Sequence, residues 1–303
     1  MAELSGLAGL VGMSDMSEMS DMSDISGTSG VTEQGGGALS REQLDAYFAS
    51  YVGMEGGSPA GAVWFCDAMP TADGARLPSQ LVPVREVPAW DAQFRLRHLH
   101  EMGKWQTHQR IARIMAAARE MVLFGRDDSG DWQRYLAQYL YRPRGWDFKL
   151  SLFPLSIRSE SGLSWTQLHG NQPELNPKSK YLTLCRHGAR FRFIAQLRRR
   201  ERPKVVVCLG ERFEAEYLQA FDMQDVPFTT HTLQPADQAK ELRVYFSEGT
   251  NLIICPAVAG AAGLASDVLL NAMGGFISQW LTMADFQVRP HESALYEAEY
   301  YAA

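Results

Sequence analysis

The sequence predicts an α/β fold, a three-layer α/β/α sandwich around a mostly parallel, four-stranded central sheet. Two observations support this prediction. Four short segments rich in apolar residues, each too brief for a helix and bounded by Gly or Pro, are typical of the strands of a buried parallel sheet. Segments with helical spacing separate these runs, and strands that alternate with helices form parallel sheets. The four predicted strands lie within residues 61–70, 148–153, 203–210 and 251–256.

Each remaining element is predicted from local signals. A first helix begins after Ser40, which forms a capping box with Gln43 three residues later. Further helices are predicted from the spacing of their apolar residues. They span about 90–124 in two pieces, 131–140, 181–200 as one basic helix, 211–221, and 265–281. The residues at 242–246 indicate an edge strand, and the Gly- and Pro-containing stretches at 53–61 and 158–180 indicate loops.

Size, hydropathy and cysteine usage narrow the class of protein. The 303 residues are 46% hydrophobic and include seven Trp, which suits a soluble globular protein with a substantial core. The sequence contains no run of about 18 apolar residues, and its first residues lack the basic flank and apolar stretch of a secretory signal. We therefore expect neither a membrane span nor secretion, and we expect a cytoplasmic protein. Cys66, Cys208 and Cys255 lie inside apolar runs and form no CxxC pair. They are expected to be buried free thiols.

Charge is distributed unevenly along the chain. Residues 1–38 repeat Met-Ser-Asp/Glu units and carry six acids without any Lys or Arg, which predicts a disordered acidic tail. The rest of the chain is neutral, and the net charge of −6 comes from this tail. The predicted domain spans 39–285, and 286–303 form a C-terminal tail. Within the domain, 185–204 hold eight Lys/Arg against the single acid Glu201, a local field that suits a polyanion.

Asp67 is the leading candidate for catalysis. It ends the predicted strand at 61–70, and ligands of open α/β sheets bind outside the carboxyl ends of the strands. A carboxylate at this edge therefore indicates an active site. The alternative is that Asp67 only caps the turn that leads to Pro70.

Four motifs in this order resemble those of the uracil-DNA glycosylase superfamily, over about residues 45–282. They are Trp64-Phe-Cys-Asp-Ala-Met-Pro70, Lys149-Leu-Ser-Leu-Phe-Pro-Leu155, the basic helix with the strand that ends at Gly210, and Cys255-Pro-Ala-Val-Ala-Gly-Ala-Ala-Gly-Leu264. The resemblance implies a monofunctional enzyme that flips a base out of DNA and cleaves its N-glycosidic bond. It implies neither a metal nor an organic cofactor. We expect the protein to be a monomer.

The departures from the family pattern imply an altered base pocket. Met69 stands where the family has a water-activating acid or Asn, and Ser151 replaces a strand Asn. Val258 and Ala259 stand where the final loop has His. Asp67, and then Asp73, are the acids available as replacements. The residues assigned to the base pocket are Met69, Pro70, Lys149, Ser151, Phe153, Val258 and Ala259.

This altered pocket on a retained scaffold resembles a phage-restricting branch of the superfamily. It implies excision of a modified base, glucosylated 5-hydroxymethylcytosine in phage DNA, as an anti-phage defence. Two alternatives stay open. One is a non-catalytic module that binds nucleic acid or protein on the same scaffold. The other is ordinary uracil excision.

Several of these residues also have structural explanations. Phe153 is placed either to stack on a flipped base or to pack in the core, and Ser151 either to contact a base or to bond backbone. Phosphate contacts or a solvated helix face would equally explain Arg186, Arg190, Arg198, Arg199, Arg200 and Arg212. No metal site is predicted, because His98 and His100 are two residues apart and point to different sides of a helix.

Overall fold

The computed structural model describes residues 38–70, 77–78, 81–88, 90–126, 129–156, 163–234, 239–258 and 263–287. The α/β prediction is confirmed, but the sheet is mixed and has seven strands within these residues instead of the four predicted. The two predicted tails lie almost wholly outside the described residues, as do Asp73 and Ala259.

The four predicted strands form the parallel centre of the sheet, and three further strands extend it at both sides. The strand order is β1-β3-β2-β4-β7-β6-β5, with β1, β6 and β5 antiparallel to their neighbours. The strands are β1 (Met54–Gly57), β2 (Val63–Asp67), β3 (Asp147–Ser151), β4 (Val205–Leu209), β5 (Phe228–Leu233), β6 (Lys240–Ser247) and β7 (Thr250–Cys255).

Three strand predictions were wrong. β1 lies in a predicted loop, β5 was not predicted, and β6 is covered by β5 and is not an edge strand. β1 and β5 lack the apolar run by which buried strands are recognised, because β1 reads Met-Glu-Gly-Gly and β5 reads Phe-Thr-Thr-His-Thr-Leu.

Helices cover both faces of the sheet, as the three-layer prediction requires. They are α1 (Arg41–Phe48), α2 (Ala92–Met102), α3 (Gln106–Phe124), α4 (Trp132–Arg134) continued by a π-helical turn (Tyr135–Tyr139), α5 (Trp165–His169), α6 (Lys178–His187), α7 (Ala189–Glu201), α8 (Glu214–Ala220) and α9 (Asp267–Ser278). α3 and α9 share one core with alternate strand residues, and α1, α6, α7 and α8 share the other. The basic helix predicted at 181–200 is in fact two helices, α6 and α7, which meet at Gly188.

The period of two along the strands divides the core between these layers. Val63 and Phe65 face α3 and α9, whereas Trp64 and Cys66 face the opposite layer. α9 packs closely on α3 because Gly274 has no side chain. A Cβ at this position would lie 2.5 Å from the carbonyl oxygen of Ile114.

β3 departs from the apolar pattern on the face that meets α3. Asp147, Lys149 and Ser151 alternate along that face, and all three are buried. Ser151 is in register with Asp67, the last residue of β2. The fold therefore brings a row of polar side chains to Asp67 at the carboxyl edge of the parallel strands.

Candidate active site at the carboxyl edge of the sheet

Lys149 joins two carboxylates at the carboxyl edge of the sheet. Its Nζ lies 2.6 Å from Asp67 Oδ2 and 2.9 Å from Glu55 Oε1. Ser151 Oγ donates a hydrogen bond of 3.2 Å to the same Glu55 oxygen. The four side chains form one connected network, which we call the Lys149 cluster.

Asp67 is the member of the Lys149 cluster that solvent reaches. The Lys149 side chain is fully buried and that of Glu55 is 9% exposed, but that of Asp67 is 19% exposed. Asp67 Oδ2, which faces Lys149, is itself buried. The exposed surface of Asp67 therefore lies on its other atoms, beyond the ion pair.

Glu55 reaches the Lys149 cluster because β1 is irregular. Met54 pairs with Leu150 and Gly56 with Lys149, so Glu55 is an extra residue in a bulge. Bulges re-aim a side chain and are common beside active sites. Gly57 ends β1 with φ +95°, and a Cβ there would lie 2.3 Å from the carbonyl oxygen of Asp147. Glycine lets β1 approach β3 this closely.

Burial and charge shift the titration of the Lys149 cluster. Burial raises the pKa of Asp67, and the Lys149 ammonium opposes this shift without reversing it. Burial alone would lower the pKa of Lys149, but Asp67 and Glu55 outweigh it, so the pKa of Lys149 is raised. Lys149 is therefore a permanent cation that serves two acids, and Asp67 takes up a proton more readily than an ordinary aspartate.

A buried histidine and two aromatic side chains close the other side of Glu55. His108 Nε2 lies 3.8 Å from Glu55 Oε2, and His108 Nδ1 lies 3.4 Å from the Tyr141 hydroxyl. The Trp90 ring packs edge-on against both rings, and its Nε1 donates to the Glu55 carbonyl at 3.2 Å. Burial first, and then the Lys149 ammonium, lower the pKa of His108 to about 3, so the imidazole is neutral at pH 7.

Asp147 occupies a second buried polar position two residues before Lys149. It accepts hydrogen bonds of 2.7 Å from the Tyr135 hydroxyl and from the Tyr141 backbone N–H. Burial raises the pKa of Asp147 to about 6, although both hydrogen bonds oppose the shift. Its bond to Tyr141 fixes the segment that also contacts His108.

The structure places the residues assigned to the base pocket in different environments. Lys149 and Ser151 belong to the Lys149 cluster. Met69 and Pro70 follow Asp67 and are half-buried. Val258 is buried, and its carbonyl accepts a hydrogen bond from Arg110.

Phe153 does not offer a ring face to a base. It is fully buried and packs against Tyr181 and Phe191. Core packing, the alternative explanation of this residue, is therefore what the structure shows.

Two of the predicted DNA-binding arginines are structural. Arg190 is fully buried and donates to the carbonyls of Leu152, Phe48, Ser50 and Ser151. Arg198 is 2% exposed and pairs with Glu248. Neither guanidinium is placed to contact phosphate, so the solvated or phosphate-binding roles predicted for them were wrong.

The other arginines lie at the surface, and most already contact an acid. Arg186 pairs with Glu216, Arg199 with Asp222 and Arg200 with Glu201. Arg212 is exposed in the turn directly after β4.

Sequence reasoning missed Glu55, His108 and Tyr141 as neighbours of the candidate site. The available signal for Glu55 was a single acid inside the glycine-rich run Gly53-Met-Glu-Gly-Gly57. No group of three or more His, Cys, Asp or Glu in the described ranges is arranged to hold a metal ion.

Comparison with protein-family models, curated proteins and solved structures found no match for this chain. No helix in the part of the chain that the structure describes is long and apolar enough to cross a membrane.

Proposed function

We propose that this protein is a DNA glycosylase and that Asp67 is its catalytic carboxylate. The observation that supports the proposal most directly is the position of Asp67. It is a partly exposed carboxylate at the carboxyl end of a central parallel strand, where open α/β sheets bind ligands. A fully buried ammonium holds it on its inner side.

The Lys149 cluster fits the demands of N-glycosidic hydrolysis. In this reaction the bond between the sugar and the base breaks, the base leaves with the bonding electrons, and a water oxygen bonds to the anomeric carbon. Positive charge develops on the sugar, and a preorganised anion stabilises it. Asp67 supplies that anion and accepts the proton of the attacking water, while Lys149 keeps the carboxylate in one orientation.

The cluster changes the roles of two pocket residues. Lys149 and Ser151 both donate hydrogen bonds to Glu55 Oε1. In this proposal Lys149 and Ser151 therefore position Asp67 and do not contact a base. Asp67 is a catalytic residue, whereas Glu55, Lys149 and Ser151 are positioning residues.

The substrate assignment rests on the resemblance to glycosylases. We propose a modified base, glucosylated 5-hydroxymethylcytosine in phage DNA, with excision in the bacterial cytoplasm as a defence against phage. The small side chains of the 257–263 segment, which contains Val258, agree with a base larger than uracil.

The test is to incubate the purified protein with DNA that carries glucosylated hydroxymethylcytosine, with unmodified DNA and with uracil-containing DNA, and to identify released bases by mass spectrometry. We expect release of the sugar-bearing base, and its loss in Asp67→Asn. Asp222→Asn is the matched control, because Asp222 pairs with Arg199 and lies away from the Lys149 cluster. On acidification, the rate of base release should fall at a pH above the pKa of an ordinary aspartate, because the pKa of Asp67 is raised.

One observation favours a second candidate, a non-catalytic binding module on the same scaffold. The Lys149 ammonium lies 2.6 Å from Asp67 Oδ2, so a structural ion pair accounts for the position of this carboxylate without a catalytic role. No released base from any substrate, with a folded protein, would support this candidate and contradict the proposed enzyme. Release of uracil alone would contradict the substrate assignment.

A further inference from the structure

In the part of the chain that the structure describes, the outer edge of β5 lacks the features that normally protect an edge strand. Among the described residues, no strand pairs with this edge. Natural proteins protect edges with charged side chains, prolines, bulges or a covering segment, because free N–H and C=O groups recruit another strand. β5 reads Phe-Thr-Thr-His-Thr-Leu, with neither a Lys nor a Pro, and its six pairs with β6 run without a bulge.

Helix α9 extends this uncharged surface beside β5. Within its twelve residues Asp267 is the one charged side chain, and Arg113 neutralises it. The helix packs against the strand through Phe276, whose ring lies 5.2 Å from His231 and 5.2 Å from Trp280. Surface helices normally carry charged residues on the face away from the core. β5 and α9 together form an uncharged edge, which we call the β5–α9 edge.

We infer that the β5–α9 edge binds a second copy of this chain, so that the two sheets join through antiparallel β5 strands. The inference does not depend on the proposed activity. The charge pattern favours a second copy as the partner. Across a two-fold axis each strand meets its own sequence, so a charged edge would meet like charges, whereas the uncharged β5 does not.

The two-fold geometry also restricts the register. A two-fold axis perpendicular to the sheet keeps equivalent faces on one side, so opposed residues must point to the same face. Pairing centred on Thr230 meets this condition. It places Thr230 opposite the partner's Thr230, and Phe228 opposite the partner's Thr232. Aromatic–threonine and threonine–threonine pairs are favourable across antiparallel strands.

The exposure of β5 agrees with this arrangement. Phe228 is 50% exposed, and the three Thr residues of the strand are exposed as well. In the inferred dimer the partner's β5 contacts one flank of these side chains, and the outer N–H and C=O groups of β5 find partners.

The test measures the molar mass of the full chain by light scattering after gel filtration. We expect the mass of a dimer for the wild type and of a monomer for Thr230→Lys, which places two ammonium groups opposite each other on the axis. Thr183→Lys is the matched control, because Thr183 is exposed on α6, and it should stay dimeric. Circular dichroism checks that both variants are folded.

A second measurement tests the pairing itself. The four native cysteines are buried, so a new surface thiol reacts selectively. With a short bis-maleimide reagent, Thr230→Cys should give a covalent dimer and Thr183→Cys should not. A wild-type monomer at the highest soluble concentration would overturn the inference. A dimer that persists in Thr230→Lys without cross-linking in Thr230→Cys would do the same.

Discussion

Lys149 is the single side chain on which the candidate site depends. It is a fully buried ammonium in contact with Asp67 and Glu55, each of which is also largely shielded from water. A buried charge is costly unless it is paired, and removal of one partner leaves the other charges uncompensated. In this cluster two acids depend on one cation.

We therefore expect Lys149→Met to lower the free energy of unfolding by about 3–5 kcal/mol, because it leaves two buried carboxylates without a counter-ion. The measurement is equilibrium unfolding in urea at pH 7. Lys204→Met is the matched control. Lys204 pairs with Asp285 but is 40% exposed, so its loss should cost at most about 1 kcal/mol.

A second variant tests the cause of that loss. If charge imbalance destabilises Lys149→Met, the addition of Glu55→Gln should restore part of the stability. A double variant less stable than Lys149→Met would contradict the electrostatic explanation and indicate that Glu55 acts mainly through its other contacts.

At single positions, the sequence predicts those residue roles that depend on residues close by in the chain. Asp67 ends a strand as expected, because an apolar run followed by an acid and Pro70 is a local signal. Lys149 and Ser151 share one face of β3, as the period of two requires. The buried role of Arg190 was not predictable, because its acceptors include Phe48, more than 100 residues away in the chain.

At the scale of elements, the bulged strand β1 links the edge of the sheet to the candidate site. Gly57 allows this strand to lie against β3, and the bulge directs Glu55 towards Lys149. The geometry of one short strand therefore determines whether the Lys149 cluster is complete.

We expect Gly57→Ala to destabilise the protein more than Gly249→Ala does. Both glycines have positive φ, +95° and +83°, where a side chain costs about 1–2 kcal/mol. Only at Gly57 would the new Cβ also meet backbone, 2.3 Å from the Asp147 carbonyl oxygen, whereas nothing lies within 4 Å at Gly249. Urea unfolding of both variants is the measurement. Equal losses would show that β1 can shift without cost.

The elements found from the sequence are those with a strong local pattern. The four central strands were predicted, because β2, β4 and β7 contain continuous apolar runs and β3 alternates apolar with polar residues. In contrast, β1 and β5 are edge strands with mixed composition and were not predicted. The break between α6 and α7 depends on a distant contact. Asp45 Oδ1 accepts a hydrogen bond from Ala189, and a Cβ on Gly188 would lie 2.5 Å from that oxygen.

At the scale of the whole molecule, the direction of the parallel strands determines at which edge of the sheet each surface arginine lies. Asp67 lies where these strands end, and Arg212 follows the end of β4 in the same direction. Arg199 and Arg200 close α7 just before β4 begins, so they lie at the opposite edge. The clustering of arginines in the sequence suggested one DNA-binding face. The fold instead places Arg199 and Arg200 away from the candidate site.

If the protein binds DNA at the carboxyl edge, Arg212 contacts phosphate and Arg200 does not. We expect Arg212→Gln to weaken DNA binding and to reduce the slope of log K against log salt by about 1, the value for one lost phosphate contact. Arg200→Gln removes the same charge at the opposite edge and should leave that slope unchanged. Fluorescence anisotropy with a labelled duplex, titrated over a range of salt concentrations, measures both. The reverse result would show that DNA binds at the edge where the parallel strands begin. It would contradict DNA binding next to Asp67.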